Sequence, residues 1–365
     1  MSKVFRLPPS AGEISRPFIS SRHSPHPGPL ESIANKLRSW TLPVPSTSKT
    51  DHLTCIICIS DTHNTKPSLP EGDILLHAGD LSQYGLFDEI QAQLDWLNAQ
   101  PHRYKIIIAG NHDLILDEKF VKAYPDRELD KPGKSRTDLT WGGITYLHNS
   151  SVEVECNGRK LKIYGSPMTP KCGNFGFQYD PDEDIWAGIR PKDTDIVLTH
   201  GPPAVHLDEG KGCRHLLTEL WSARPKLVVF GHIHGGRGEE RFTFDRIQEC
   251  YENILMGVRP WINIFRMILC TISQVLSRTT VGSTLSTHFV NAAVVDGPGN
   301  RERREPVVAY QKVCSMMAKP PSIAQYSATI TLPTRLNDPK NGLFKTKHPY
   351  DARPIMPTQI QPSPP

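Results

Sequence analysis

The chain has 365 residues, with 42 Lys and Arg against 38 Asp and Glu for a formal net charge of +4, too slight a balance to dictate a nucleic-acid or membrane partner. With 38% apolar and 22% charged residues and a mean hydropathy of −0.40, it reads as a soluble globular protein with some disordered sequence. Collagen-like, coiled-coil and polytopic membrane classes are excluded.

Residues 1–20 lack an apolar core followed by a small-residue cleavage site, so a reducing cytoplasm is the expected compartment. Of the 33 prolines, 18 fall within residues 1–50 and 320–365, where no periodicity lasts, and 1–50 and 316–365 are expected to be disordered tails. Inside the first, an apolar pattern from Leu30 to Leu42 is compatible with a docked helix that Pro43 and Pro45 would end. The folded domain is expected over residues 51–315.

One pattern then occurs five times: a short apolar, β-branched run that ends in a cluster of His, Asp and Asn. The runs are Cys55–Ser60 before Asp61-Thr62-His63, Asp73–Ala78 before Gly79-Asp80, Lys105–Ala109 before Gly110-Asn111-His112-Asp113, Asp195–Thr199 before His200-Gly201, and Lys226–Phe230 before Gly231-His232-Ile233-His234. Runs of this length read as buried strands. Between the second and third, Ile90, Leu94 and Leu97 recur at helical spacing and predict a βαβ crossover. Thr145–Leu147, Ser151–Cys156 and Lys160–Tyr164, separated by Asn149 and Asn157-Gly158, predict antiparallel strands joined by tight turns.

Residues 237–287 interrupt the strand rhythm with a polar run and then Trp261–Leu276. This stretch falls short of the ~20 apolar residues of a spanning helix, and it is expected to form a helix packed on the core, with a membrane-surface helix as the alternative. His288–Asp296 predicts a further strand. The eight cysteines are scattered, and Cys55 and Cys58 would point to opposite faces of a strand, so free thiols are expected rather than a metal or redox pair.

A lone His is usually structural, and His77, His148 and His206 are expected to be so. The conjunction of clusters is different. In an open α/β sheet ligands collect at the carboxyl ends of strands, where all five clusters would sit. In extended backbone, residues i and i+2 point the same way, so Asp61/His63 and His232/His234 could each offer two ligand atoms. Asp80, Asn111 and His200 bring the candidates to seven. Carboxylate, imidazole and amide oxygen together suit Mn, Fe or Zn, and the absence of Cys argues against a structural zinc knot. Seven ligands fit two metals if one carboxylate bridges, and Asp80 is the natural bridge. Two metals ~3.5–4 Å apart form a clamp for phosphoester hydrolysis, generating hydroxide from bound water and neutralising phosphoryl oxygens.

The ordered set D-x-H, G-D, G-N-H-D, H and G-H-x-H across residues 61–234 resembles the calcineurin-like metallophosphoesterases. The wording ISDTHN, HAGDLS, AGNHD, YGSP, LTHGPP and FGHIHGG is similar to the small metallophosphodiesterase group of metallophosphoesterase domain-containing proteins. The resemblance implies a four-layer α/β/β/α sandwich, here with disordered tails and a helical insertion. It implies Asp61, His63 and His234 on one metal, Asn111, His200 and His232 on the other, and Asp80 between them. His112 would bind the phosphoryl oxygen or protonate the leaving group, and Asp113 would orient its imidazole. Some members of the small group lack one His of the last motif; this chain has both.

The expected activity is dinuclear hydrolysis by metal-bound hydroxide, with Mn2+ first and Fe or Zn as alternatives, by a phosphodiesterase acting on small nucleotide-like substrates such as cyclic nucleotides. The alternatives are a protein or small-molecule phosphomonoesterase, or a weakly active scaffold whose insertion binds a membrane, through 261–276, or a partner. No nucleic-acid footprint is evident, since Arg301-Glu302-Arg303-Arg304 is mixed in sign and reads as a solvated loop. Residues 165–179 resemble a family loop over the site and could stack on a base; loop packing is the alternative for Asn174, Phe175, Phe177 and Tyr179.

Overall fold

The computed structural model describes residues 28–41, 53–125, 127, 134–188, 194–277, 286–296, 300 and 302–312. In chain order the elements are α1 (Pro29–Thr41), β1 (Leu53–Ile59), β2 (Ile74–Ala78), α2 (Phe87–Asn98), β3 (Tyr104–Ile108), α3 (Glu118–Ala123), β4 (Ile144–Tyr146), β5 (Ser150–Cys156), β6 (Arg159–Ser166), β7 (Thr169–Pro170), β8 (Gln178–Tyr179) and β9 (Ile196–Thr199). There follow α4 (Arg214–Ala223), β10 (Leu227–Phe230), β11 (Gly238–Thr243), α5 (Arg246–Leu255), α6 (Pro260–Ser277), β12 (Ser286–Asn291), β13 (Val295–Asp296), β14 (Glu302–Arg303) and β15 (Val307–Lys312).

Two sheets carry the fold, in the orders β15-β1-β2-β3-β4 and β11-β12-β10-β9-β6-β5. Within each, the central strands run parallel and edge strands β15, β11 and β5 run antiparallel to their neighbours. The alternation of side chains along a strand explains the layering. In β1, Ile56 and Cys58 enter a core shared with Ile163, Leu198 and Val229 of the second sheet, whereas Ile57 and Ile59 face outward onto Ile90, Leu94 and Leu97 of α2. The outer face of the second sheet, with Val228, Phe230 and Phe289, is covered by Leu216 and Leu220 of α4. The result is a four-layer α/β/β/α sandwich with the α2 crossover where expected. Cys55 and Cys58 lie in different cores, and the seven described cysteines are free.

Three sequence expectations change. The strand β4 pairs parallel with β3 in the first sheet, not antiparallel with β5; the chain crosses between layers at Leu147–Asn149, where Asn149 takes φ 49°, and only β5 and β6 form the hairpin. The interruption at 237–287 begins with a strand, β11, whose alternating exposed Glu239 and Arg241 suit a sheet edge, so the helical part is α5 and α6. Third, α1 lies inside 1–50: Ala34 packs with Tyr251, Ile264 and Met267 of α5 and α6, which is the docked alternative for Leu30–Leu42. The remaining tail expectations, on 1–27, 42–50 and 316–365, lie outside the described residues. No helix among the described residues is long and apolar enough to cross a membrane.

Candidate metal centre

The five clusters follow β1, β2, β3, β9 and β10, and the ends of those strands bring them to one edge of the sandwich. The strands stop short of the ligands. Asp61, His63, Asp80 and His232 take left-handed φ values of 55°, 42°, 54° and 65°, conformations that cost non-glycine residues free energy and concentrate at functional sites. The i, i+2 expectation is therefore corrected: outside extended backbone, Asp61 and His63 stay in one set, while His232 and His234 part.

Asp61, His63 and His234 each offer an atom within 4.8 Å of the others, as do Asp80, His200 and His232, and His63, Asp80 and His112. In the first set His234 Nε2 lies 3.1 Å from Asp61 Oδ1 and 3.4 Å from His63 Nε2. In the second, His200 Nε2 lies 3.0 Å from Asn111 Oδ1. Asp80 joins them, with Oδ1 3.3 Å from His200 Nε2 and Oδ2 3.6 Å from His63 Nε2. The seven candidate ligands thus occur as two sets with a carboxylate between.

Backbone groups of neighbouring loops hold the carboxylates. The His232 amide donates to Asp61 Oδ1 and Oδ2 at 3.1 and 3.0 Å, and the His112 amide to Asp80 Oδ1 at 2.8 Å. Close approach demands glycine: a Cβ at Gly110 would stand 2.2 Å from Asp80 Oδ1, and one at Gly231 2.1 Å from Asp61 Oδ2. Below the ligands, His77 is buried between Thr62 Oγ1 at 3.0 Å and the Gly79 amide, which donates to its Nδ1 at 3.2 Å.

Burial opposes charge throughout the cluster, and the pairings decide where it survives. Burial alone would raise Asp61 and Asp80, yet His234 and His200 hold both well below the usual carboxylate range. Burial likewise disfavours His200 as a cation, but Asp80 and Asp61 raise it to about 9. His232 is pushed down to about 4 by burial and by His200. Two carboxylates and an amide oxygen converge on the ring nitrogens of four histidines, with His63 Nε2 and His234 Nε2 facing each other. This donor set is richer in lone pairs than in N–H groups and fits divalent cations, as do the glycine cradles.

The catalytic candidates divide. His112 stands beside both sets, its ring 4.8 Å from that of His63. Asp113 does not orient it. The Asp113 carboxylate accepts from the Gly110 and Leu81 amides and from the Ser82 amide and hydroxyl, because the bend after Asn111 turns it under the Asp80 loop. Burial and the Asp80 charge raise it to about 6. The imidazole is oriented instead by the Gln83 carbonyl, 2.8 Å from His112 Nδ1. Sequence reasoning missed this contact, for which a main-chain oxygen leaves no residue signature. It also missed Arg304, which donates to the His234 carbonyl at 2.9 Å and pairs with Asp296; its mixed-charge context hid it. In the overhanging loop Phe175 lies against His112, ring centroids 4.7 Å apart. A cavity of about 630 Å³ shares Met168, Phe177 and Gln178 with this loop and includes none of the candidate ligands.

Residues 54–236 match the calcineurin-like phosphoesterase family, and the chain belongs to it. Among curated proteins it is 44% identical over 284 residues to the probable rhamnogalacturonate lyase C of Emericella nidulans, across 76% of this chain and 26% of that one. It is 36% identical over 218 residues to metallophosphoesterase domain-containing protein 1 of Homo sapiens, across 54% of this chain and 65% of that one. A UPF0046 protein of Caenorhabditis elegans is 30% identical over 247 residues, across 63% of this chain and 81% of that one. The chain thus spans about a quarter of the first relative and just under two thirds of the second.

Proposed function

We propose that the protein is a phosphodiesterase that hydrolyses small nucleotide-like diesters, cyclic nucleotides among them, with two divalent transition metals, Mn2+ first. The observation that carries this reading is Asp80, which presents one oxygen to each of two imidazole sets. Asp61, His63 and His234 would hold one metal, Asn111, His200 and His232 the other, with Asp80 shared. When bound, the two cations supply Lewis acidity to the phosphoryl oxygens and activate water.

The chain's own residues do the rest. The Gln83 carbonyl keeps a proton on His112 Nδ1, so when the ring is cationic Nε2 can hand its proton to the departing ester oxygen. Phe175 packs against the ring, with centroids 4.7 Å apart. Asp113 ties the loop that carries Asp80 to the loop that carries Asn111. A diester carries one negative charge at phosphorus and a monoester two. Arg304, the guanidinium on the His234 carbonyl, is already paired with Asp296, which favours the diester.

Hydrolysis of bis(p-nitrophenyl) phosphate and p-nitrophenyl phosphate, each with Mn2+, Mg2+, Zn2+ or EDTA, tests the reading, with Asp80→Ala as control. Diester turnover that requires Mn2+ and disappears in Asp80→Ala is expected. A preference for the monoester, or no turnover with metal demonstrably bound, would overturn it.

A further inference from the structure

Helix α6 is apolar on two sides. Ile264 and Met267 are buried with Ala34, Tyr251 and Ile254 of α1 and α5. On the other side Trp261, Phe265 and Leu269 are 73%, 62% and 50% exposed, and Ile262 and Ile272 extend the same stripe at helical spacing. A helix that is apolar all round is normally covered all round.

Charge indicates what covers it. Arg266, within the helix beside the stripe, and Arg259, which immediately precedes the helix, are both exposed. Helix α6 contains no acidic residue, and among the described residues neither guanidinium is in an ion pair. The exposed side of α1 repeats the arrangement, with Ile33, Lys36 and Trp40 within one arc.

A second copy of the chain fits poorly. Arg266 lies near the middle of Pro260–Ser277, so a two-fold pairing, parallel or antiparallel, would set Arg266 close to its own copy and remove both from water. The chain's own ends fit no better. Residues 315–365 hold six basic residues against Asp338 and Asp351, and residues 1–27 hold four against Glu13, so neither complements the arginines. An anionic bilayer answers both demands, since its interface accepts Trp and Phe and its headgroups attract cations.

We infer that α6 is an interfacial helix that lays Trp261, Phe265 and Leu269 into the headgroup region of an anionic phospholipid bilayer while Arg259 and Arg266 meet lipid phosphates. Hydrolysis and membrane attachment are then separate properties of the chain. Helix α6 supplies no candidate ligand, and the inference stands whatever the substrate.

The test is co-sedimentation of the full chain with vesicles of phosphatidylcholine alone or mixed with phosphatidylserine, at low and high salt. Recovery is expected with the mixed vesicles and should fall with salt. Phe265→Glu or Leu269→Glu should abolish it without changing the melting temperature or the hydrolytic rate, and Arg266→Gln should weaken it about fivefold, the equivalent of ~1 kcal/mol per basic residue. Tryptophan quenching by brominated anionic lipid checks insertion without any substitution. Absence of recovery and quenching, or equal recovery with neutral vesicles, would overturn the inference. So would a concentration-dependent dimer that Phe265→Glu dissolves in the absence of vesicle binding.

Discussion

The Phe175 ring rests against the His112 imidazole at a centroid distance of 4.7 Å, tilted by 38°, so the aromatic of the overhanging loop contacts the proposed proton donor. Aromatic contacts of this kind contribute ~0.5–1.5 kcal/mol. Phe175→Ala should therefore lower kcat by about two- to tenfold with the metal content unchanged, since His112, on which its ring packs, is not one of the seven candidate ligands. Steady-state kinetics beside metal analysis checks this; a lower metal content or an unaltered kcat would refute it. If Phe175 instead gripped the substrate's base, KM would rise for nucleotide diesters and not for bis(p-nitrophenyl) phosphate.

Asp113 makes a different prediction from the one its adjacency to His112 suggests. Its carboxylate takes four hydrogen bonds from Gly110, Leu81 and Ser82 and so fixes the two loops that carry Asp80 and Asn111. Outer partners of metal ligands typically contribute about 10–100-fold in metal affinity or activity. Asp113→Asn should weaken metal binding to about that degree, read by titration of the metal-free protein. Unchanged affinity alongside lost turnover would return Asp113 to a direct role on His112.

The five strand-and-cluster units were legible because each signal is local: a short β-branched run, a glycine, a polar ligand. The sandwich was legible only through the resemblance, since Ile56 and Ile57 read alike although they enter different cores. What depends on distant partners was not legible. The pairing of Ile144–Tyr146 is settled by Lys105–Ile107, and Gly238–Thr243 becomes a strand by pairing with Ser286–Asn291. At the site the residue types were legible and the directions were not. Asp113 and His112 are neighbours in sequence with opposite aims, and the group that orients His112 is the main-chain oxygen of Gln83.

Glycine substitution separates site geometry from turn strain. A Cβ at Gly110 would stand 2.2 Å from Asp80 Oδ1 and 2.6 Å from His200 Cε1, whereas one at Gly158 meets nothing within 4 Å. Gly158 lies in the β5–β6 turn at φ +76° after Asn157 at φ 52°. Gly158→Ala should lower stability by about 1–2 kcal/mol, the cost of a left-handed non-glycine residue, and leave turnover intact. Gly110→Ala should displace the shared carboxylate, and a shift of about 1 Å can cost ~100-fold in rate. Urea denaturation and turnover on both variants check this; equal activities would mean that the Asp80 loop adapts.

His206 carries the pH dependence of the fold away from the metal centre. Its Nδ1 lies 3.1 Å from Glu240 Oε2 and its Nε2 3.1 Å from Glu252 Oε1, and only the imidazolium donates to both. Burial disfavours that cation, but the two carboxylates overcome it and raise the group to about 9. Arg38 from α1 faces Glu240 as well, at 3.4 Å, and Trp221 donates to Glu252 at 2.5 Å. In the unfolded chain His titrates near ~6.5, so the folded state binds its proton more tightly. The stability from protonated His206 is then fully present below pH ~6.5 and is lost as pH rises through about 9, by at most ~3 kcal/mol. The stability of the parent chain should therefore fall between those values relative to His206→Gln, whose amide cannot titrate. Urea midpoints of both proteins across that window measure the difference. Parallel pH profiles would show that the ring is neutral in the folded state and that the carboxylates are balanced by Arg38.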